Sequence, residues 1–355
     1  MTMSKRVLIA MSGGVDSSVA AWLLKEAGYD CAGASMRLFD STESTCCSID
    51  DVDDARAVCR TLGIPHYVFN FKTTFAQTVL ARFIKHYRDG KTPNPCIDCN
   101  RFVKFQKFLA RADELEYGYI ATGHYARTEY VNGRWLLRKG VDESKDQSYV
   151  LASMTQEQLS RTLFPLGTYS KPEIRKIAEE HGLVNAQKAD SQDLCFAPDN
   201  DYAAALARLS GEVYPPGNFI TVDGMVIGQH KGIIHYTIGQ RKGLGMFMPK
   251  FDGHQPYVLE KRAHDNTIVL GIGEQLLKTE LVANDFNWIM YDTPPSQFRA
   301  KARIRYNKPE SLATIMPMDD GYVRVEFDEP VSAIAPGQIV ALYDDEYVIG
   351  SGTII

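Results

Sequence analysis

Two features of this chain can do chemistry together: a glycine- and serine-rich loop suited to a phosphate, and cysteines set among basic or polar neighbours. Ser12-Gly13-Gly14-Val15-Asp16-Ser17-Ser18 follows the apolar run Val7–Met11 and precedes Val19, Trp22, Leu23 and Leu24 at helical spacing. Glycines let a ligand approach the backbone, hydroxyls donate, and a helix N-terminus presents unpaired N–H groups to an anion. A Walker loop would end in Gly-Lys-Ser/Thr; that tripeptide is absent, which argues against γ-phosphate transfer. Cys99 closes the string Asn94-Pro95-Cys96-Ile97-Asp98-Cys99-Asn100, at the expected start of a helix over 100–115. There the helix dipole and nearby Lys and Arg residues favour a thiolate nucleophile. Cys195 sits in the polar run Asp190-Ser191-Gln192-Asp193-Leu194-Cys195-Phe196. Either thiol alone reads as structural; beside a phosphate loop the pair reads as sulfur chemistry on an activated substrate.

The elements that must position these residues are legible from periodicity. Over the first two hundred residues strand-like runs (7–11, 32–39, 66–71, 119–122) alternate with helical spacings (17–27, 50–62, 73–87, 100–115, 171–181). That alternation predicts a doubly wound parallel sheet with helices on both faces. Asn132-Gly133 marks a hairpin between 126–131 and 134–139. Beyond Gly211 helical periodicity fades, and Pro215-Pro216-Gly217, Asp223-Gly224, Asp265-Asn266, Asp320-Gly321 and Asp344-Asp345 punctuate short strands. The expected class is α/β plus β in three domains: 1–210 carrying the phosphate loop, a small central connecting domain at 211–273, and a C-terminal β-barrel at 274–355.

Composition excludes several functions. A net charge of −5, from 39 basic against 44 acidic residues, does not suit a histone-like nucleic-acid coat. Charge is segregated, however: Arg82 to Arg111 holds eight Lys or Arg against Asp89 and Asp98, whereas 40–54 holds six acids and no base. Seven cysteines, an odd number, with no export signal point away from a disulfide framework and towards reactive or metal-binding thiols. No stretch reaches the roughly 18 uncharged apolar residues of a spanning helix, so the expectation is a cytoplasmic protein with no membrane partner.

Taken together, the loop and the thiols make the chain resemble the tRNA-uridine 2-sulfurtransferases, a family of PP-loop ATP pyrophosphatases with an adenine nucleotide alpha hydrolase-like fold. The supporting strings are 10–17, 94–95, 121–125, 145–149, 191–196, 235–243, Arg305-Tyr306 and 336–338. The resemblance implies 2-thiolation of the wobble uridine of tRNAs for Lys, Glu and Gln, with ATP split to AMP and pyrophosphate. It implies that Cys195 carries a persulfide and Cys99 resolves the remaining link as a Cys99–Cys195 disulfide, so a thiol reductant is needed. A cysteine desulfurase or sulfur-relay protein would supply the sulfur. Implied ATP contacts are Ala10, Met11, Ser12, Gly13, Gly14, Val15, Asp16, Ser17, Met36 and Gly123, with Asp16 organising Mg²⁺. Implied tRNA contacts are Asn94, Pro95, Cys96, His124, Lys145, Asp146, Gln147, Arg305, Tyr306 and Gln338. On its own, Arg305-Tyr306 reads as a solvated strand face, although Arg299, Lys301, Arg303 and Arg305 alternate as one side of a strand would.

One departure opens an alternative. Many relatives have Asp where this chain has Cys96, so Cys96 and Cys99 form a C-x-x-C; with Cys195 they offer three thiolates for a [4Fe-4S] cluster. A zinc site lacks a clear fourth ligand. Cys46-Cys47 suits a loop or core role, and Cys31 and Cys59 suit the core. Two competing functions remain: a PP-loop C–N ligase or amidotransferase, which needs neither Cys99 nor Cys195, and an RNA-binding redox sensor, which leaves the phosphate loop unused.

Overall fold

The computed structural model describes residues 5–39, 49–188, 194–197 and 201–355. Cys46-Cys47 and the run Ser191-Gln192-Asp193 lie outside these residues.

The apolar runs of the first half become the strands of one parallel sheet: β1 (Arg6–Ala10), β2 (Asp30–Arg37), β3 (His66–Asn70) and β4 (Tyr119–Ala121). The hairpin strands β5 (Ala126–Val131) and β6 (Arg134–Lys139) follow, and β7 (Thr162–Leu163) returns to the parallel sheet in the order β3-β2-β1-β4-β7. Strand alternation distributes β1 between two cores. Val7 and Ile9 pack with helix α1 (Val15–Glu26), helix α2 (Ile49–Leu62) and the helix Lys171–Glu180. Leu8 faces the opposite cluster, built on helices 72–88 and 95–114. Strand order reverses direction beside β1, where β4 lies on one side and β2 on the other; in open α/β sheets this is where ligands bind, beyond the carboxyl ends of the strands.

The central segment forms a four-stranded sheet from β8 (Gly217–Ile220), β9 (Val226–His230), β10 (Tyr257–Arg262) and β11 (Thr267–Gly271). The C-terminal strands are β12 (Leu277–Trp288), β13 (Phe298–Arg303), β14 (Ser311–Pro317), β15 (Val323–Ser332), β16 (Ile339–Asp344) and β17 (Tyr347–Ile354). They close into a six-stranded antiparallel barrel because β12 pairs with both β15 and β17. Closure removes the free edges that would otherwise template aggregation.

Several contacts tie the barrel to the α/β unit, two of them at a strand pairing and a bulge. The Asn132-Gly133 turn forms as expected, with both residues at positive φ (51° and 86°). Its strand β6, however, pairs with the start of β17 (Tyr347 opposite Arg138, Val348 opposite Leu137), extending the barrel sheet from the N-terminal half. In β12 an irregularity between Asn284 and Asn287 leaves Asp285 at φ 47°. Such bulges re-aim a side chain, and Asp285 accepts from Arg101 Nη1 and Nη2 at 2.5 and 3.3 Å.

Candidate active site

The phosphate loop joins β1 to α1. Gly13 takes φ +74°, and a Cβ there would lie 2.4 Å from the Asp51 carbonyl oxygen, so only glycine fits between the loop and α2. Ser17 and Ser18 hydroxyls each donate to the Gly14 carbonyl at 3.0 Å, and the Ser12 amide donates to Ser17 Oγ at 3.2 Å. Asn185 Nδ2 clamps the loop from a distant segment, donating to the Gly13 carbonyl at 3.0 Å and Ser18 Oγ at 2.7 Å. Gly123, just past β4, passes so close that a Cβ would sit 2.9 Å from Ser17 N, which places it beside the loop. Met11 is buried and Met36 half-buried near the ends of β1 and β2.

Asp16 stands in the first turn of α1. Its Oδ1 accepts from the Tyr125 hydroxyl at 2.7 Å, and both its oxygens accept from Lys171 Nζ, at 2.7 and 2.9 Å. Gln147 braces Tyr125, accepting from its backbone N–H at 3.0 Å through Oε1. Lys171 and Tyr125 were not singled out from sequence as site residues. Lys171 lies 155 positions from Asp16, and its one local signal is a cation in the first turn of a helix, where the macrodipole disfavours it.

The cysteine helix departs from expectation. It begins at Pro95, with Asn94 as cap accepting from the Cys96 amide at 3.1 Å, and runs without a break through 95–114. Cys96 therefore occupies the exposed first turn, and Cys99 lies a full turn inside, where the helix widens over Cys99–Lys107. Wide turns of this kind recur at functional sites. Cys99 is 7% exposed, and burial pushes its thiol up to about 11, with Lys104 opposing. The thiolate anticipated at the helix N-terminus is thus not favoured in the resting protein, because desolvation outweighs the dipole. The alkylation rate of Cys99 should accordingly climb about tenfold per pH unit from pH 7 to 10; a plateau below pH 9 contradicts this assignment.

Cys195 is half-buried and packs against the same apolar cluster as Cys99. Its neighbour Phe196 is anchored against Phe75 and Phe83, with ring centroids 6.1 and 5.3 Å apart. Among the described residues Cys31, Cys59, Cys96, Cys99 and Cys195 form no disulfide. Among the described residues no three His, Cys, Asp or Glu side chains gather to hold a metal. Cys96 is exposed, Cys99 buried and Cys195 half-buried, and the three form no such group. Asp16, an oxygen donor at the mouth of a phosphate loop, does suit Mg²⁺, which takes one or two carboxylates together with phosphate oxygens.

The barrel positions the entry to the cysteine helix. Gln338 Nε2 donates to the Thr92 carbonyl at 2.8 Å, and the Thr92 amide donates to the Pro336 carbonyl at 2.8 Å. The other residues implied as tRNA contacts separate into an interior and a surface set. His124 is buried between Phe105 and Phe164, bonded to Thr122 Oγ1 at 2.7 Å, and held well below the usual imidazole range by burial. Asp146 is buried and accepts from Gly140 N, Ser148 N and Ser148 Oγ at 3.1, 3.1 and 2.8 Å. Arg305 is half-buried, donates to the Ile238 carbonyl at 2.9 Å, and has its pKa lowered by burial. Lys145 and Tyr306 are half-buried, and the Tyr306 hydroxyl donates to the Asp146 carbonyl at 3.2 Å, so the two segments 145–147 and 305–306 do meet.

The alternating basic face is likewise reshaped. The strand ends at Arg303, and Arg299, Lys301 and Arg303 pair with Asp328, Asp345 and Asp146. At least five of the eight basic residues between Arg82 and Arg111 also have carboxylate partners among the described residues (Asp98, Asp89, Glu212, Asp285, Glu114). No helix among the described residues is long and apolar enough to cross a membrane.

Comparison with known proteins places the chain in a family. Three family descriptions match in order: tRNA methyl transferase HUP domain at 5–199, tRNA methyl transferase PRC-barrel domain at 206–272 and aminomethyltransferase beta-barrel domain at 278–354. The tRNA-specific 2-thiouridylase MnmA 1 of Thermoanaerobacter sp. (strain X514) is 47% identical over 363 residues, covering 100% of this chain and 99% of that protein. The tRNA-specific 2-thiouridylase MnmA of Clostridium kluyveri is 46% identical, covering 99% of each. That of Symbiobacterium thermophilum is 48% identical, covering 99% of this chain and 92% of its own. With identity of this order along its whole length, the chain belongs to the tRNA-specific 2-thiouridylase (MnmA) family.

Proposed function

We infer that this protein replaces the C2 oxygen of the wobble uridine of tRNAs for Lys, Glu and Gln with sulfur, using ATP. The observation that carries the reading is the pairing, in one α/β unit, of a phosphate loop lacking a Walker lysine with two cysteines on one apolar cluster. A uracil oxygen leaves poorly. Attack of that oxygen on the α-phosphorus forms an O–P bond as the bond to pyrophosphate breaks, and AMP then becomes the leaving group. The loop amides and Gly123 hold the phosphates close, while Asp16 would hold Mg²⁺, which supplies neutralisation of phosphate charge.

Sulfur arrives as a persulfide on Cys195, formed by a cysteine desulfurase or a sulfur-relay protein. Its terminal sulfur attacks C2 and AMP departs. Cys99 then attacks Cys195 Sγ, which forms the Cys99–Cys195 disulfide and releases the 2-thiouridine; a thiol reductant returns two electrons. Cys99 must lose its proton for this step, so its buried thiol is drawn on only when the neighbouring link is in place.

In this reading residues 1–210 activate and thiolate, 211–273 connect, and 274–355 brace the tRNA site, all in the cytoplasm. Exposed Cys96 and half-buried Asn94 and Lys145 face the RNA, and buried Pro95 fixes the turn that presents them. His124, Asp146, Gln147, Arg305 and Gln338 shape that surface from behind, and Tyr306 borders it. The test is incubation of purified protein with ATP, tRNA and a sulfane donor. Formation of 2-thiouridine with equimolar AMP is expected, and ADP as the stoichiometric product, or a methylated base formed from a methyl donor without ATP, contradicts it.

A further inference from the structure

We propose that Asp285 is a positioning residue for Cys99: from a bulge in the barrel strand β12 it holds Arg101, two residues past the thiol, and so sets where the thiol points. This rests on the two-cysteine reading above. The register of β12 carries the device. Leu281 and Ala283 pack in the barrel core, and Phe286 and Trp288 pack against it, so the inward positions change from odd to even within one strand. One extra residue causes the change: Asn284 pairs with Thr353 and Asn287 with Ser351, which sets Asp285 and Phe286 against Gly352 alone. Without it, strand alternation would point Asp285 into the apolar core. The facing strand accommodates the bulge with glycines. A Cβ on Gly352 would lie 2.3 Å from the Phe286 ring, and one on Gly350 would lie 2.4 Å from the Asn287 carbonyl oxygen.

The bulge turns two polar side chains out of the barrel. Asp285 accepts from Arg101 Nη1 and Nη2 at 2.5 and 3.3 Å, and Asn287 Nδ2 donates to the carbonyls of Ala152 and Met154 at 3.2 and 3.0 Å. Asn100 Nδ2 donates to the Val150 carbonyl at 2.9 Å, so helix, segment 150–154 and barrel are linked around the residues that follow Cys99. Arg101 lies inside the wide turn that begins at Cys99. Such turns are rare in helices, and here both residues after the thiol are tied to other elements. Stability does not account for the pair. The Arg101 and Asp285 side chains are 37% and 52% exposed, where an ion pair contributes little, and Asp285 takes φ 47°, which a non-glycine residue adopts at a cost. What the pair supplies is direction. Cys99 is buried and must reach a sulfur on another segment, and such a reaction is sensitive to displacements of about an ångström.

The experiment compares full-length wild type with Asp285→Asn, Arg101→Gln, both changes together, and Arg101→Lys. Asparagine keeps the shape of Asp285 and tolerates positive φ. Melting temperature, ATP affinity and persulfide loading of Cys195 should therefore stay at wild-type levels. Release of 2-thiouridine from tRNA linked to Cys195 should slow by about 10- to 100-fold. Alkylation of Cys99, mapped by peptide mass, should change by about threefold or more, the scale of one exposed ion pair. The double variant should lose no more than either single one, because the same interaction is removed in each, and Arg101→Lys should recover part of the loss. Additive losses, wild-type release in the single variants, or an equal fall in melting temperature, ATP affinity and every step overturns the assignment and leaves an ordinary surface pair. A wild type that forms no 2-thiouridine sinks the functional reading itself. Cys99 alkylation then still decides the positioning, upheld by a non-additive change and overturned by rates equal to wild type.

Discussion

Replacing Cys99 or Cys195 with serine is expected to lower 2-thiouridine formation by about 10³-fold or more, the scale seen when a nucleophile is removed from a catalytic unit. ATP binding should be unchanged, since neither thiol belongs to the Ser12–Ser18 loop. The two losses should differ in kind. Without Cys195 no persulfide forms and the enzyme stays unloaded; without Cys99 the persulfide forms, one round of attack occurs, and tRNA stays linked to Cys195. Cys96→Ser should keep substantial activity, because Cys96 sits in the exposed first turn of the helix and outside the apolar cluster that holds the other two. Single-turnover thiolation with mass analysis of the protein distinguishes these cases. A Cys96→Ser variant as damaged as Cys99→Ser would restore the three-thiol cluster, and full activity in the Cys99, Cys195 double variant would favour the C–N ligase.

Arg305→Glu should act on the fold before it acts on RNA. From sequence alone, Arg305 belongs to a basic strand face and its reversal weakens tRNA binding and flattens its salt dependence without altering ATP affinity. In the structure its guanidinium is turned inward to the Ile238 carbonyl, near Tyr87 and Tyr149, joining the segment between β9 and β10 to the barrel. A carboxylate there meets a carbonyl acceptor and little water, and an uncompensated buried charge costs about 3–5 kcal/mol. A clear fall in melting temperature is therefore expected, together with loss of tRNA binding. Arg299→Glu, at an exposed pair with Asp328, should change stability by about 1 kcal/mol or less. An Arg305→Glu protein with wild-type melting and weakened tRNA affinity would return Arg305 to the RNA surface.

The contrast between Arg305 and the phosphate loop shows what sequence can carry. The loop is local: its glycines, its hydroxyls and the helix after it lie within seven residues, so its chemistry is legible without a fold. The Asn132-Gly133 turn and the closed barrel are legible for the same reason, through turn residues and regular strand spacing. Contacts between distant segments are not. Nothing near Asp16 announces Lys171, nothing near Asn132 announces that β6 will join β17, and nothing near Gly13 announces Asn185. The period-two run from Arg299 breaks at Arg305 because β13 ends at Arg303 and the Arg305 guanidinium turns inward to the Ile238 carbonyl. The helix start at Pro95 was available from sequence, since proline favours the first helical position and Asn94 is a good cap. Placing the start at Asn100 instead put Cys99 in the dipole's reach, and the helix that forms buries it.

The central claim is that the uridine C2 oxygen itself attacks the α-phosphorus of ATP and departs with AMP. It is tested most directly by preparing tRNA whose wobble uridine carries ¹⁸O at C2, allowing one round of thiolation, and analysing the AMP by mass spectrometry. The account predicts one ¹⁸O in the phosphate of AMP for each 2-thiouridine formed. AMP without label, with the ¹⁸O recovered in water or retained in the tRNA, would contradict it.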